Sequence, residues 1–376
     1  MSITSPCLGI HRRITLSQFR LETEKKAILK ILLILSKVQS VLANMIEVIF
    51  TLDYEIYGNG EGSLRELVYE PAAKLMEVFN KFENRFVAFV EAAELEKIKE
   101  HRSDKAIDQV RGQIEDLYKH GFEIGLHIHP QWYNAQRENG KWALDYSEYN
   151  LCVLPRERIR QIVDKSIGFL RNVLGDSVFK PLSFRAGNWL FQPALPVAGV
   201  LAEHGVRVDS SVFKGGLQRQ QGLDYRRALK NGYFWRFATE VNVEDTQGTL
   251  LELPIYTQMV PFWKMATGKR IGLQQKSGGR VKSGKGRFSR LTDFLRFRYP
   301  QKLDFCRMTK DELTSMMDRV LEEDQASPTE YRPIVAIGHT KDLVDTETVE
   351  AFLSYLDKKK IPVTTFEKIY PKVAQG

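Results

Sequence analysis

Two of the seven histidines in the chain stand one residue apart, in the stretch EIGLHIHPQW. The residues before them alternate and are rich in β-formers, and Pro130 follows, so the pattern predicts a strand that ends near His129. Side chains at positions i and i+2 of a strand share one face, so His127 and His129 can reach one point, as two ligands of a metal ion would. The alternatives are two buried histidines satisfied by hydrogen bonds, or a chance pair on an exposed loop.

Ionisable residues end several other predicted strands. A strand ending in TLDYE places Asp53 and Glu55 on one face, again at positions i and i+2. Three further strand ends carry Arg185, Asp209 and His339. Each has a simpler explanation, such as a helix cap, a surface cation or a core histidine with satisfied hydrogen bonds. Because a buried charge is costly unless it is paired or bound to a metal, their joint occurrence indicates one shared polar site.

The elements that carry these residues alternate between strands and helices. The predicted strands are 47–52, 85–90, 122–128, 181–184, a short one in GVRVDSS, 250–255, 334–337 and 362–365, and the predicted helices are 71–82, 92–100, 104–120, 156–174, 194–204, 310–323 and 346–358. Alternating βα units predict a parallel sheet, open or closed into a barrel, with the polar residues at the carboxyl ends of its strands.

Composition and cysteine content limit the class of protein. The chain has 376 residues, of which 43% are hydrophobic and 27% charged, an ordinary globular composition for one large domain or two smaller ones. Its three cysteines, Cys7, Cys152 and Cys306, are far apart in sequence. An odd and sparse set argues against a disulfide framework and against a structural cysteine–zinc site, and it fits a reducing compartment.

The net charge of +8 is spread unevenly. Residues 268–302 are rich in Lys and Arg, contain Asp293 as their one acid, and include the Gly/Ser-rich stretch QQKSGGRVKSGKGRFSR, which predicts a mobile basic insertion. This segment is either a solvated insertion or a contact for an acidic partner such as an anionic glycan, a lipid phosphate or a membrane surface. The chain contains no recognisable nucleic-acid motif, so we expect no nucleic-acid partner.

Residues 1–44 are expected to form an N-terminal extension. The stretch ILKILLILSKVQSVL has helical character, but Lys30 and Lys37 interrupt it, whereas a membrane span takes about 20 apolar residues. Either it is an amphipathic helix, or it precedes a natural start at Met45. Because the residue order of a secretory signal is lacking, we expect a cytoplasmic protein, with peripheral contact at the inner face of the membrane left open.

Five ordered blocks resemble the polysaccharide deacetylase superfamily, also called the chitooligosaccharide deacetylase-like or carbohydrate esterase family four group. The blocks are TLDYE, HGFEIGLHIHP, SFRAGNW, GVRVDSSV and IGHTKD, and they cover about residues 46–370. The DYE start and the GHTK end resemble the branch of bacterial surface-polysaccharide biosynthesis, such as that of lipopolysaccharide or capsule. The resemblance implies an α/β fold, a distorted (β/α)7 barrel over residues 45–376, a divalent metal, most often zinc, and removal of an N-acetyl or other N-acyl group from a sugar.

The same resemblance implies a role for each residue of the polar site. These roles are a catalytic base, Asp53; metal ligands, Glu55 and His127; an acid for the leaving amine, His339; and a pair that holds the base, Arg185 and Asp209. Trp132, Asn188 and Trp189 are candidate substrate contacts, the two tryptophans by stacking on sugar faces, although core packing explains either tryptophan equally well. The sugar, the acyl group and a lipid-linked or anionic acceptor stay open.

Two departures from the family pattern bear on the metal site. The family's adjacent acids are separated here by Tyr54, which leaves Asp53 and Glu55 on one strand face but able to exchange roles. The family's second metal histidine stands four residues after the first, and this position is Gln131. We hypothesise that His129 takes its place. If it does not, the barrel is catalytically idle and binds glycan or assembles with biosynthetic enzymes; a metal hydrolase of a cyclic amide or phosphoester is the third hypothesis.

Overall fold

A computed structural model describes residues 45–261 and 298–374. The predictions for residues 1–44, and for most of the basic insertion, lie outside the described residues. The described strands are β1 (Ile46–Tyr54), β2 (Val87–Glu91), β3 (Glu123–Ile128), β4 (Gln136–Glu138), β5 (Lys141–Ala143), β6 (Ser183–Ala186), β7 (Val208–Asp209), β8 (Leu217–Gln218), β9 (Leu223–Asp224), β10 (Trp235–Phe237), β11 (Leu250–Glu252), β12 (Thr257–Pro261), β13 (Arg298–Lys302), β14 (Arg332–His339) and β15 (Val363–Thr364). The described helices are α1 (Glu70–Lys81), α2 (Ala92–Glu100), α3 (Ile107–Lys119), α4 (Arg156–Leu174), α5 (Leu195–Glu203), α6 (Lys310–Ala326), α7 (Thr346–Lys358) and α8 (Phe366–Val373).

Parallel strands form the path of the central sheet. Seven of them lie in the order β11-β7-β6-β3-β2-β1-β14, and every neighbouring pair is parallel. β10 extends the sheet beyond β11 in the antiparallel direction. The short β15 pairs with β1, where Val48 lies opposite Val363. Because these seven strands run parallel, their carboxyl ends lie along one edge of the sheet.

The sheet curls into a distorted barrel. Ile255, which follows β11, forms parallel bridges with Phe213 on one side and with Val335 of β14 on the other. The amide of Tyr256 donates to the carbonyl oxygen of Val335 at 2.9 Å, so the two ends of the sheet are joined. The prediction of a distorted (β/α)7 barrel is therefore confirmed.

Local sequence explains where the helices begin and end. α4 carries apolar residues such as Ile159 and Ile162 at helical spacing on its buried face, and it ends at Gly175 in the left-handed conformation that glycine adopts without steric cost. α6 begins after Thr309, whose side chain and that of Glu312 form a reciprocal capping box. None of the helices within residues 45–261 and 298–374 is long and apolar enough to cross a bilayer.

The strand β1 is buried at every position and carries Asp53 toward its carboxyl end. Its Phe50 ring packs edge-on against Phe79, Phe305 and Phe352, with centroids 5.1, 5.1 and 5.7 Å away. Each such aromatic pair is worth about 0.5–1.5 kcal/mol beyond its buried area. This packing anchors the strand on which the polar site is built.

The predicted loop character of the basic insertion is wrong for its last residues. The segment Arg298–Lys302 forms the strand β13, antiparallel to β12, with Lys302 opposite Thr257. Pro300 makes this stretch look unlike a strand, because proline cannot donate a hydrogen bond to a sheet. In a ribbon of two strands, the proline nitrogen can face away from the partner, so the pairing survives.

Candidate metal centre and active site

The carboxyl ends of the barrel strands meet at a cleft with a volume of about 370 Å³. Its walls include Asp53, Glu55, His127, His129 and His339, all singled out from the sequence. They arrive from β1, β3 and β14 or from the residue directly after the strand. Parallel strands bring these residues together because their carboxyl ends lie on the same edge of the barrel.

Three buried donor atoms converge in this cleft. The Oε2 atom of Glu55 lies 3.4 Å from Nε2 of His127 and 3.0 Å from Nε2 of His129. Tetrahedral zinc with bonds of about 2.0–2.1 Å holds its ligand atoms roughly 3.3 Å apart, so these separations fit a divalent metal. A second group of donors, from Asp53, Glu55 and His339, overlaps this one, with all its atoms within 4.8 Å of one another.

The ring of His127 is oriented for metal binding. Its Nδ1 lies 2.8 Å from the carbonyl oxygen of Arg185 and donates to it, since that oxygen can only accept. Its Nε2 atom is buried and has no hydrogen-bond partner among the described residues. Burial lowers the pKa of His127, but the carboxylates of Asp53 and Glu55 outweigh it and raise the pKa to about 9. A metal ion at Nε2 must therefore displace a proton.

The structure places His129, and not Gln131, against Glu55. The backbone amide of His129 donates to Oε2 of Glu91 at 2.7 Å, which fixes the chain at the end of β3. The Gln131 amide is fully buried behind the ring, with Nε2 3.2 Å from Nδ1 of His129, and its Oε1 has no partner among the described residues. A half-turn of that amide brings Oε1 to His129 Nδ1–H and leaves Nε2 of the ring free to bind metal.

A buried ion pair holds Asp53. The Arg185 guanidinium donates to Oδ1 of Asp53 at 2.6 Å, to Oγ of Thr51 at 2.9 Å and to the carbonyl of Ser210 at 2.8 Å. Burial alone would raise the pKa of Asp53, but Arg185, followed by His339 and His127, lowers it below the ordinary value. Asp53 is therefore ionised at neutral pH, as a general base must be.

His339 lies between two carboxylates. Its Nε2 is 3.3 Å from Oδ2 of Asp53, and its Nδ1 is 3.6 Å from Oδ2 of Asp342. Burial lowers the pKa of His339 below its ordinary value, although Asp53 and Asp342 act in the opposite direction. A histidine in these surroundings gives up a proton readily, and its Nε2 atom faces the Asp53 carboxylate of the Asp53–Arg185 ion pair.

Asp209 is buried but does not touch the Asp53–Arg185 pair. Its Oδ1 accepts from the hydroxyl of Ser211 at 2.7 Å, and its carboxyl shares a hydrogen bond with that of Glu252 on the neighbouring strand β11. Burial raises the pKa of Asp209, and the charge of Arg185 reaches it only as a weaker opposing effect. Of the expected pair that holds the base, Arg185 contacts Asp53, whereas Asp209 bonds to Ser211 and Glu252 instead.

The three predicted substrate contacts differ in position. Trp132 is fully buried and packs edge-on against Trp142, with centroids 5.1 Å apart, so it belongs to the core and not to the cleft wall. Asn188 and Trp189 line the cleft, and both have positive φ angles, of 55° and 59°. Such backbone angles are unfavourable for residues other than glycine and often occur at functional sites. Trp132 is therefore a packing residue, whereas Asn188 and Trp189 can face a ligand.

Lys341 was not singled out from the sequence. Its Nζ donates to Oε1 of Glu55 at 2.7 Å and to the carbonyl of Ile56 at 2.9 Å, which leaves Oε2 of Glu55 for the two histidines. Burial acts to raise the pKa of Glu55, but Lys341 and then His129 hold it well below its ordinary value. The lysine stands two residues after His339 in the block IGHTKD, so its place near the site could have been inferred from that strand end.

Comparison with known proteins identifies the fold. No protein-family model matches the sequence, and no curated protein sequence does. A proposed polysaccharide deacetylase from Mycobacterium smegmatis is similar over 89% of this chain and 91% of its own, with a TM-score of 0.51 and 16% identity. A GH57 branching enzyme from Thermococcus kodakaraensis is similar over 87% of this chain and 71% of its own, with a TM-score of 0.53 and 12% identity.

The chain therefore has the fold of the polysaccharide deacetylases. The same fold occurs in a branching enzyme, and a fold hosts more than one reaction, so the reaction must be argued from the residues of the cleft.

Proposed function

We propose that this chain is a member of the polysaccharide deacetylase superfamily and a metal-dependent hydrolase that removes an N-acetyl or other N-acyl group from a sugar. The observation that carries the proposal is the convergence of Glu55 Oε2, His127 Nε2 and His129 Nε2 beside the ionised carboxylate of Asp53. Two imidazoles and one carboxylate are the ligand set of many hydrolytic zinc sites, so zinc is the metal that we propose.

The residues around the proposed metal ligands Glu55, His127 and His129 each have a separate role in the reaction. When bound, a divalent metal supplies Lewis-acid activation of water and of the amide carbonyl. Asp53 accepts the proton of the attacking water, and Arg185 keeps Asp53 ionised between catalytic cycles. His339 gives a proton to the nitrogen of the leaving amine, which then departs as a free amino sugar. Lys341 holds Glu55 so that a single carboxylate oxygen faces the two histidines.

The finer assignment rests on the sequence blocks together with the fold. The DYE and GHTK blocks support a place in the biosynthesis of a surface polysaccharide, where deacylation exposes an amine on a sugar. The substrate would then be an N-acylated sugar or oligosaccharide handled in the cytoplasm or at the inner face of the membrane. The sequence leaves the acyl group open, so formyl sugars belong in the same test.

One observation favours a catalytically idle barrel as the second candidate. The Lys341 ammonium already neutralises part of the Glu55 charge at 2.7 Å, as a bound cation would. If that ion pair replaces the metal, the chain binds glycan without hydrolysing it. Metal content separates the two functions, because the hydrolase requires one divalent ion per chain.

Acyl release from defined sugars tests the proposal. Protein stripped with a chelator and reloaded with zinc would be incubated with N-acetyl and N-formyl sugars, free and as sugar nucleotides, and released acetate or formate would be measured. We expect release that requires metal and is abolished in His127→Ala. The matched control is His204→Ala, because His204 pairs with Asp164 outside the cleft. Equal release from metal-free protein, or none from any N-acyl sugar by the metal-loaded protein, would overturn the proposal.

A further inference from the structure

The cleft contains a lysine that the proposed reaction does not use. Lys302 is the last residue of β13 and lines the cleft. Its Nζ lies 3.3 Å from the centroid of the Trp189 ring and 5.0 Å from that of Phe213. Among the described residues, no carboxylate oxygen lies within 4.0 Å of this ammonium. Aromatic faces therefore hold the cation without neutralising it.

A comparison with the other cleft lysine shows why this arrangement points to a ligand. Lys341 is compensated by the carboxylate of Glu55 and by the carbonyl of Ile56. Among the described residues, Lys302 contacts two rings, and the carboxylates of Asp304 and Asp53 act on it only from beyond 4.0 Å, although a cation taken out of water needs a close counter-charge or hydrogen bonds. Burial lowers the pKa of Lys302 to about 8, against the opposing effects of Asp304 and Asp53. An anion at Nζ would supply a counter-charge in direct contact with the ammonium.

A second cation lines the same cleft. Arg307 is 40% exposed at its side chain, and its nearest ion-pair contact among the described residues, from Nη1 to Oδ2 of Asp342, is long at 3.6 Å. Its guanidinium therefore keeps donors free for a ligand, since a contact of that length is not a full hydrogen bond. Lys302 also covers one face of Trp189, which limits the stacking of a sugar on that ring.

We propose that Lys302, held on the Trp189 ring, and Arg307 form a subsite for an anionic group of the sugar substrate. The group is a phosphate or a carboxylate, carried on the same sugar as the acyl group or on its neighbour. This inference rests on the proposed function and narrows its substrate class to acidic N-acyl sugars. A charge-assisted contact of this kind is worth about a 10- to 100-fold gain in affinity.

Calorimetric binding to metal-loaded protein tests the subsite with three probes. The probes are N-acetylglucosamine, its 1-phosphate and an N-acetylated aminouronic acid, which are neutral, phosphorylated and carboxylated. We expect the wild type to bind at least one anionic probe about 10-fold or more tightly than the neutral one. Lys302→Gln should lose this advantage, Lys302→Arg should keep most of it, and Arg307→Gln should lose part of it. The probe that binds more tightly than the neutral sugar shows whether the subsite takes a phosphate or a carboxylate.

The matched control is Lys214→Gln. Lys214 also lies over aromatic rings, those of Tyr233 and Trp235, but it lines a different cavity. We expect this variant to bind all three probes as the wild type does. An equal affinity of the wild type for neutral and anionic probes would overturn the subsite. So would an undiminished anionic advantage in Lys302→Gln, because the anion would then be held elsewhere, as at the metal.

The outcomes distinguish this inference from the proposed function. Acyl release from neutral sugars, without tighter binding of the anionic probes, would contradict the subsite and still support the hydrolase. An anionic preference that depends on Lys302, together with no acyl release from any probe, would leave the subsite and overturn the hydrolase.

Discussion

Replacing Arg185 with methionine should destabilise the fold and shift the pH dependence of the reaction together. Arg185 is fully buried, and its guanidinium pairs with Asp53 at 2.6 Å. Removing one partner of a buried ion pair costs about 3–5 kcal/mol, because the remaining charge is left without compensation. Domains are stable by about 5–15 kcal/mol, so we expect a folded but weakened protein.

The direction of the pH effect follows from the surroundings of Asp53. In the wild type, the pKa of Asp53 is lowered from its ordinary value of 3.8, so its ionised form stabilises the fold above about pH 4 and that contribution is lost as the pH falls through the lowered pKa. Without the guanidinium, burial raises the pKa of Asp53. The acid limb of kcat/KM should therefore move to higher pH, and stability at neutral pH should fall.

The assay combines chemical denaturation with a pH profile of kcat/KM for acyl release. The control is Arg332→Met, since Arg332 is also buried, at 1% exposure, and pairs with Asp324 at 2.6 Å. It begins β14 whereas His339 ends it, about 23 Å away along the strand. The control should lose similar stability and keep the acid limb of the wild type. An unshifted acid limb in a folded Arg185→Met protein would refute the role given to the Asp53–Arg185 pair.

Three further predictions concern single features of the chain. His339→Ala should keep its metal and lose about 10²–10⁴-fold in rate, and metal loss measured by elemental analysis would make His339 a ligand instead of an acid. Gln131→His should change zinc affinity little, because His129 already supplies the second imidazole; a large gain in a zinc titration would contradict that assignment. A chain that starts at Met45 keeps the hydrogen bond from the Arg332 amide to the Met45 carbonyl at 2.6 Å, so we expect a Tm within a few degrees of the full chain, and a much lower Tm would contradict this.

The sequence predicted the site well where the argument rested on strand geometry. Positions i and i+2 share a face, which correctly paired His127 with His129 and Asp53 with Glu55 in one cleft. The alternation of strands and helices also predicted the parallel sheet, because parallel strands need crossover connections, whereas the resemblance to the polysaccharide deacetylase superfamily implied its closure into a barrel. Both predictions rest on local patterns in the sequence. They hold in the structure because the carboxyl ends of the parallel strands lie at the same end of the barrel.

What escaped prediction depends on contacts between distant segments. Lys302 reaches Trp189 only because β13 pairs with β12, and Pro300 hides that strand in the sequence. Trp132 was a candidate for stacking on a sugar, but it is buried and packs against Trp142. Asp209 lies at a strand end as predicted, yet its carboxyl bonds to Ser211 and Glu252 and not to Arg185. A sequence pattern predicts where a strand ends, but it does not predict which residue from another segment its side chain will contact.

Zinc titration of metal-free protein, followed by calorimetry, tests the central claim most directly. It would be run on the wild type and on Glu55→Gln, His127→Ala and His129→Ala, with His204→Ala as the control outside the cleft. The triad geometry predicts one zinc ion per wild-type and control chain, and loss of that binding in each of the three variants. Zinc binding that survives all three substitutions, or a wild type that binds no zinc, would contradict the claim that Glu55, His127 and His129 hold a metal.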